Sequence, residues 1–520
     1  KINYPDGKKV DYRYLANGRL GSIPGYMEEI DYDGNGRILS ETFGNGTSYE
    51  FDYSSRGFLE RITGPTNHGF DYETTFDGFG NPTGYGRYLA DPDNPDEVVL
   101  DTLAAYTYDD TSQLLSETLY SFWGNTSGIT TTYTYDSLGN RLTESTGNAQ
   151  TTYEYNTNNT LGHPTSRLTS YTREGQTYSF GYTQHGNLLE DNEYVYLYDW
   201  WDRLVRVCDG ACNTNSILHA YSYNAEGLLV SQKSGETLVY YVYFGDKVLV
   251  EVFDDGSEAS SYSYVSGNDQ KLARIDGETE DKIYFHRDGL GSVRRISDGL
   301  GEVIWYGDYR AFGSLVFEHS EEDSDNAWLY TGGLYDEQTA TTRLGMRHLS
   351  HSVGRFTQID PLWEERPWDS PYIYVANNPL FFVDPTGARA EKSEAFGPLT
   401  EKLLNSQMDR LKIAEEDRGE FMDNMMKFAF GTEFIESSHN QMAVPRKNDG
   451  TLASSAKGYY QFLDGSVPVA MQAYQNAFKA AGIEAPSLGN ISSNPQKWSQ
   501  DQSDALFFGH IFSKTGSDAY

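Results

Sequence analysis

Two cysteines in 520 residues, Cys208 and Cys212 in CDGAC, rule out a disulfide framework. They can close one small local bridge or remain thiols, and two sulfurs alone cannot hold a structural zinc ion. Long apolar runs are also missing: no stretch approaches the ~20 residues that cross a bilayer as a helix, so no membrane span is expected. Positive charge is scarce, with 40 Lys and Arg against 76 Asp and Glu. The imbalance sits upstream, where residues 1–388 hold 27 basic and 59 acidic side chains, whereas residues 389–520 hold 13 and 17. A body of that sign repels phosphate backbones, so no nucleic acid partner is expected for it. No signal peptide opens the sequence, and Lys1 begins in mid-pattern (INYPDGKKVDYRY), as a piece of a longer protein would.

Aromatic side chains are plentiful. They make up 14% of the chain, 41 of them tyrosines, beside 51 glycines, and a disordered chain would be poor in aromatics. At 520 residues the chain is too long for one core and should hold at least two domains. Over residues 1–270 one unit recurs: an aromatic, Asp or Asn, a few small polar residues, Gly, one residue, an aliphatic. It reads Tyr32-Asp33-Gly34-Asn35-Gly36-Arg37-Ile38 and Tyr135-Asp136-Ser137-Leu138-Gly139-Asn140-Arg141-Leu142, with looser copies from Tyr155, Tyr198 and Tyr223. Asp or Asn starts a turn and Gly supplies positive φ, so each unit reads as a hairpin. Between turns the tyrosines alternate, as in Tyr194-Val195-Tyr196-Leu197-Tyr198, which places them on one strand face. A single hairpin is unstable in water, so the units are expected to join edge to edge in a continuous sheet. A short-cycled β-sandwich fits this spacing poorly.

This tract resembles the YD repeats of the Rhs and teneurin-like families. The resemblance continues through an Rhs-associated core carrying Tyr284-Phe285-His286-Arg287-Asp288-Gly289, then Tyr309-Arg310-Ala311-Phe312-Gly313, then Gly354-Arg355-Phe356-Thr357-Gln358-Ile359-Asp360-Pro361. It implies a mainly β fold: a spiralling YD-repeat β-shell over residues 1–275, a core over 276–388 that closes it, and a separate C-terminal domain over 389–520.

In Rhs proteins the core ends in two Asp-Pro motifs, and paired aspartates are thought to cut the chain just after the second. The matching residues are Asp360 and Asp384, which implies a cut near Gly387-Ala388-Arg389. Two carboxylates that share a proton can serve as acid and base on a peptide bond. Asp360-Pro361-Leu362-Trp363 lacks the usual glycine, and Ala388 stands where Leu is common. A purely structural reading stays open: Asp-Pro favours turns, and Tyr372, Tyr374, Phe381 and Phe382 can seal the shell end. Arg347 and Arg355, just upstream, can hold either carboxylate or pair at the surface. His348-x-x-His351 lacks a third ligand, so no metal is expected, and His286-Arg287-Asp288 reads as a turn.

From Ala390 tyrosines thin out and Leu and Met take helical spacing (Leu399, Leu403, Leu404, Met408; then Met422, Met425, Met426), which predicts a small, mainly α domain. Glu436 falls at the end of the second predicted helix, before Ser437, and Gly458-Tyr459-Tyr460-Gln461-Phe462 follows. This pair of motifs resembles the lysozyme-like lytic transglycosylases. The resemblance implies Glu436 as general acid, with Ser437, Gly458, Tyr459, Tyr460 and Gln461 against the sugar. A Glu among apolar neighbours keeps its proton near neutral pH and can donate it to a glycosidic oxygen. A hydrolase of the usual kind would want a second carboxylate, for which Asp449 and Asp464 are candidates. The family's later Tyr-Asn pair is not visible.

Together these resemblances imply an Rhs-type toxin, secreted or at the cell surface and delivered to the target cell's periplasm or cell wall. Its substrate would be peptidoglycan glycan strands, with a cognate immunity protein and a delivery machine as partners and no cofactor. The rival expectation is an adhesive surface protein with a non-catalytic, glycan-binding tip.

Overall fold

The computed structural model describes residues 1–392 apart from 66–69, 91–97, 122–124, 157–165, 257–258, 321–325, 364–368 and 389, together with 456–457 and 462–463. Two compact units divide the chain, one running essentially from Lys1 to Ser393 and the other dominated by Glu394–Tyr520. Only the first is described in detail below.

Nearly all of it is antiparallel strand. One sheet has 13 strands, from Met27–Tyr32 to Gln176–Ser179, and each strand pairs with its neighbours in sequence. A second sheet of 14 strands runs from Gly181–Tyr182 to Leu315–Ser320 and continues without a break across Asp276. The mainly β shell expected from the repeats is therefore present. Alternation sets its two faces: in Ala149–Tyr155, Thr151 and Tyr153 are buried while Thr152 and Glu154 face water. The inner face carries Tyr133, Tyr153, Tyr196, Tyr221, Tyr241 and Tyr264. The outer face carries cross-strand threonine pairs, among them Thr118–Thr130 at 2.8 Å and Thr134–Thr143 at 2.7 Å.

The aspartate of the Tyr-Asp dipeptide has a definite task in its turn. Asp136 Oδ1 accepts the backbone N–H of Leu138 at 2.9 Å and of Asn140 at 2.8 Å, and Oδ2 accepts Asn140 Nδ2 at 2.9 Å. Asp33, Asp77, Asp199, Asp288 and Asp298 cap their turns through the same two backbone positions. Gly139, at φ +75°, closes the turn in a conformation that side chains resist. The preceding tyrosine sits on a β-bulge: register shifts between Thr134 and Tyr135, Ser222 and Tyr223, Val242 and Tyr243, and Asp308 and Tyr309. A bulge re-aims its side chain. Each of these tyrosines reaches back to the first strand residue after the previous turn: Tyr135 to Leu114 O, Tyr223 to Leu204 O, Tyr243 to Leu229 O, Tyr309 to Val293 O, all at 2.7–2.8 Å. At Tyr135-Asp136, and again at Tyr32-Asp33 with Leu20 O at 2.8 Å, the aspartate closes its own turn while the tyrosine ties it to an earlier strand.

Beyond the second sheet, a four-stranded sheet (Leu334–Asp336, Thr341–Leu344, Arg347–Ser350, Arg355–Phe356) begins a segment packed on both large sheets. Trp328 Nε1 donates to the buried Glu251 at 2.8 Å and His219 meets Asp336 at 3.1 Å on the second sheet. Tyr372 Oη donates to Gly186 O at 2.6 Å. On the first sheet, Asn377 Nδ2 donates to Gly139 O and Asn378 Nδ2 to Asn81 Oδ1, both at 2.8 Å. Cys208 and Cys212, whose state the sequence left open, form a disulfide.

Removing one tyrosine hydroxyl isolates the tie between repeats. Tyr135→Phe is expected to lower the free energy of unfolding by about 1 kcal/mol in urea titrations. Ser137→Ala, exposed in the middle of the adjoining turn, is expected to stay within about 0.5 kcal/mol.

Candidate functional site at the Asp-Pro junction

Arg347 opens its strand with almost no exposure (2%), and Asp360 (4%) and Asp384 (2%) are equally withdrawn from water. Three charges in so dry a place are tolerable only if they satisfy one another. They do: Arg347 Nη2 lies 3.2 Å from Asp360 Oδ2 and 3.0 Å from Asp384 Oδ2. Its guanidinium rests 3.6 Å over the Phe356 ring, and Nη1 donates to Pro371 O at 3.3 Å. Its Nε donates to the carbonyl oxygen of Gly387. Asp360 is fixed further by Leu362 N–H on Oδ1 at 2.8 Å, and its own N–H donates to Pro371 O at 2.9 Å.

The second aspartate reaches the same peptide bond from its other side. Ala388 N–H donates to Asp384 Oδ1 at 3.1 Å, and Thr386 Oγ1 donates to that oxygen at 3.3 Å. Arg347 thus holds the oxygen of the Gly387–Ala388 peptide while Asp384 holds its nitrogen. The chain is pressed against the turn at Leu344–Arg347, where Met346 N–H donates to Thr386 O at 3.0 Å. Both contacting glycines are obligatory. A Cβ on Gly387 (φ +66°) would stand 2.1 Å from Leu344 O, and one on Gly345 (φ +48°) 2.0 Å from Thr386 O.

The structure therefore brings Asp360, Asp384 and Arg347 together, with Arg347 and Asp384 on the Gly387–Ala388 peptide, in the stretch near which the sequence placed a cut. The two carboxylates are joined through a shared cation, and one expectation changes. Arg355 holds neither: it donates to Ser166 O at 2.6 Å and lies over Tyr372. Thr386 and the Pro371 carbonyl were not anticipated, since nothing in DPTG distinguishes a hydroxyl that folds back onto its own aspartate.

His348 and His351 lie in and just after a strand, not on a helix. His351 Nε2 meets Thr342 Oγ1 at 2.9 Å, whereas His348 packs edge-on to Tyr221. Burial pushes both imidazoles down to about 3. Among the described residues no three His, Cys, Asp or Glu side chains converge as metal ligands would. His286 is a buried strand residue bonded to Ser297 at 2.7 Å, and Asp288 caps the next turn. Glu436, Ser437, Gly458, Tyr459, Tyr460 and Gln461 lie outside the described residues. The residues on either side of the last four are paired: Ala456 opposes Leu463 and Lys457 opposes Phe462.

Serial antiparallel hairpins, Asp-capped turns and tyrosine ties define a YD-repeat β-shell. Residues 101–378, more than half of the chain, match the Teneurin YD-shell family, and the chain belongs to that family. It is 28% identical over 367 residues to "tRNA nuclease WapA" of Bacillus subtilis, covering 69% of this chain and 14% of that protein. It is 29% identical over 179 residues to "Double-stranded DNA deaminase toxin A" of Burkholderia cenocepacia, covering 33% of this chain and 12% of the other. Among solved structures, TcdB2-TccC3 without its hypervariable C-terminal region superposes with a TM-score of 0.58 at 18% identity, over 73% of this chain and 20% of that one. The chain spans a minor part of each of these proteins. No helix among the described residues is long and apolar enough to cross a membrane.

Truncating the shared cation strands two buried carboxylates. Arg347→Ala is expected to cost about 3–5 kcal/mol of stability in denaturant titration. Arg347→Lys should recover less than half of that, because a single ammonium cannot touch both carboxylates and the Gly387 carbonyl together.

Proposed function

We propose that this chain is the shell, junction and payload of a secreted toxin, and that the shell cuts its own chain between Gly387 and Ala388. The observation that carries the reading is the grip on that one peptide bond, oxygen to Arg347 and nitrogen to Asp384. A guanidinium on the carbonyl oxygen stabilises the negative charge that develops when water adds to the carbon. One carboxylate takes the proton of the attacking water. The proton then passes to the Ala388 nitrogen as the C–N bond breaks, leaving a carboxylate on Gly387 and a free amine on Ala388. The differing activities in the relatives' names, a tRNA nuclease and a DNA deaminase toxin, support a shell that serves exchangeable payloads.

For this payload, residues 389–520, the reading is peptidoglycan cleavage with Glu436 as general acid. It is supported by Glu436-Ser437 followed by Gly458-Tyr459-Tyr460-Gln461-Phe462. Delivery to the target's cell wall and a cognate immunity protein follow from the same reading.

Expression of the full chain should yield two fragments whose junction, by mass spectrometry, falls after Gly387. Asp384→Asn and Asp360→Asn should each leave one 520-residue band, and a single band from the unaltered chain would sink the processing claim. The payload has its own assay: the processed protein should clear a peptidoglycan suspension, and Glu436→Gln should lower that rate by at least about a hundredfold. Activity on tRNA or duplex DNA in its place would move the payload to the chemistry of the named relatives.

A further inference from the structure

The turn from Asp199 to Arg203 departs from its siblings at three consecutive positions, Trp200, Trp201 and Asp202. Asp202 stands at φ +60° where the turn at Asp136 has Gly139. A non-glycine residue in that region costs about 1 kcal/mol. The cost is offset by Asn187 Nδ2 at 2.8 Å and His185 Nδ1 at 2.9 Å, both on Asp202 Oδ1. Trp200 is 92% exposed and Trp201 73%. Indoles usually enter a fold because they bury large apolar area, and here that area is left in water.

Trp201 is nevertheless held in place. The Arg203 guanidinium lies 4.8 Å from its ring and 4.8 Å from that of Tyr223. Arg203 is in turn fixed by Asp199 Oδ2 at 2.7 Å and Asn224 O at 3.1 Å. Asp199 and Asp202, which flank the two tryptophans, also line an open cavity of about 750 Å³ shared with Thr183, His185, Arg206 and Ser222. A held indole with a second one exposed next to it, on a turn whose aspartates line a hollow of mixed apolar and polar character, supplies the parts of a binding site.

Charge narrows the ligand. Asp199 is paired with Arg203 at 2.6 Å and Arg206 lines the same cavity as Asp202, so two carboxylates meet two guanidiniums at the rim although the whole chain carries −36. A sulfated or phosphorylated ligand is repelled by that field. A cationic one would compete with Arg203 for the ring it already covers. A neutral sugar is not repelled by that field: its C–H face can stack on the ring surface that Trp200 and Trp201 leave in water, while its hydroxyls reach carboxylate, imidazole and guanidinium. Of neutral chains, a β-1,4-linked one is ribbon-like and offers such faces along its length.

We propose that the Trp200–Trp201 turn and the cavity beside it bind a neutral β-1,4-linked oligosaccharide. The site lies on the shell and does not depend on what residues 389–520 do. The test is isothermal titration of the full chain carrying Glu436→Gln, so that the payload consumes no sugar, with chitotetraose and cellotetraose as probes. At least one should bind with a dissociation constant below about 1 mM. Trp200→Ala with Trp201→Ala should remove one equivalent of bound sugar, or weaken it about tenfold or more, without moving the thermal midpoint. Heparin oligosaccharide and phosphatidylcholine vesicles run alongside. No heat from either neutral sugar, equal binding by the double variant, or binding only to heparin or vesicles would each overturn the assignment.

Discussion

A tyrosine hydroxyl that crosses from one repeat to the carbonyl of the one before is the constraint on which the shell depends. Antiparallel ladders pair neighbouring strands, but they do not fix the angle at which a turn leaves the sheet. The bulge at Tyr135, Tyr223, Tyr243 and Tyr309 turns each ring aside, and the hydrogen bond to Leu114, Leu204, Leu229 or Val293 then sets the angle. Asp supplies the other half by gathering two turn N–H groups on one oxygen. Where the tie is made, the later repeat is oriented on the earlier one.

The wall buries single charges and pairs, among them Glu117, Glu251 and Arg87 with Asp308, whereas the junction gathers Arg347, Asp360 and Asp384 in one place away from solvent. Charges so placed contribute little net stability, because desolvation consumes most of their attraction. What they do contribute is position. All three converge on one stretch of backbone, and the crossing of Gly345 and Gly387 leaves no room for a side chain between them. The segment that holds them is stitched by Asn377 and Asn378 to turns of the first sheet and by Tyr372 and Trp328 to the second. A disturbance of either sheet would reach the junction.

Much of the shell was legible in the sequence, because the Asp-to-Gly turns and alternating tyrosines are local signals. What the pattern hid was the bulge. Period two puts Tyr133 and Tyr135 on one face, yet Tyr133 is buried and Tyr135 only half-buried, its ring redirected by the register shift. At the junction Asp360 and Asp384 stood out through their prolines, and Arg347 through its proximity in sequence. That one guanidinium would serve both carboxylates and the Gly387 carbonyl was not legible, since it depends on chain segments 13 to 40 residues apart meeting in space. Arg355 carried the same signal and went elsewhere. Trp200 and Trp201 read as an ordinary repeat variant until their exposure was seen.

The backward-pointing tyrosine also gives the wall a direction. Beyond the backbone ladder, each tie runs from a later strand to an earlier one, as from Tyr223 to Leu204 and from Tyr243 to Leu229. Losing a hairpin on the C-terminal side therefore frees a carbonyl in its predecessor, whereas losing one on the N-terminal side leaves a phenol without its acceptor.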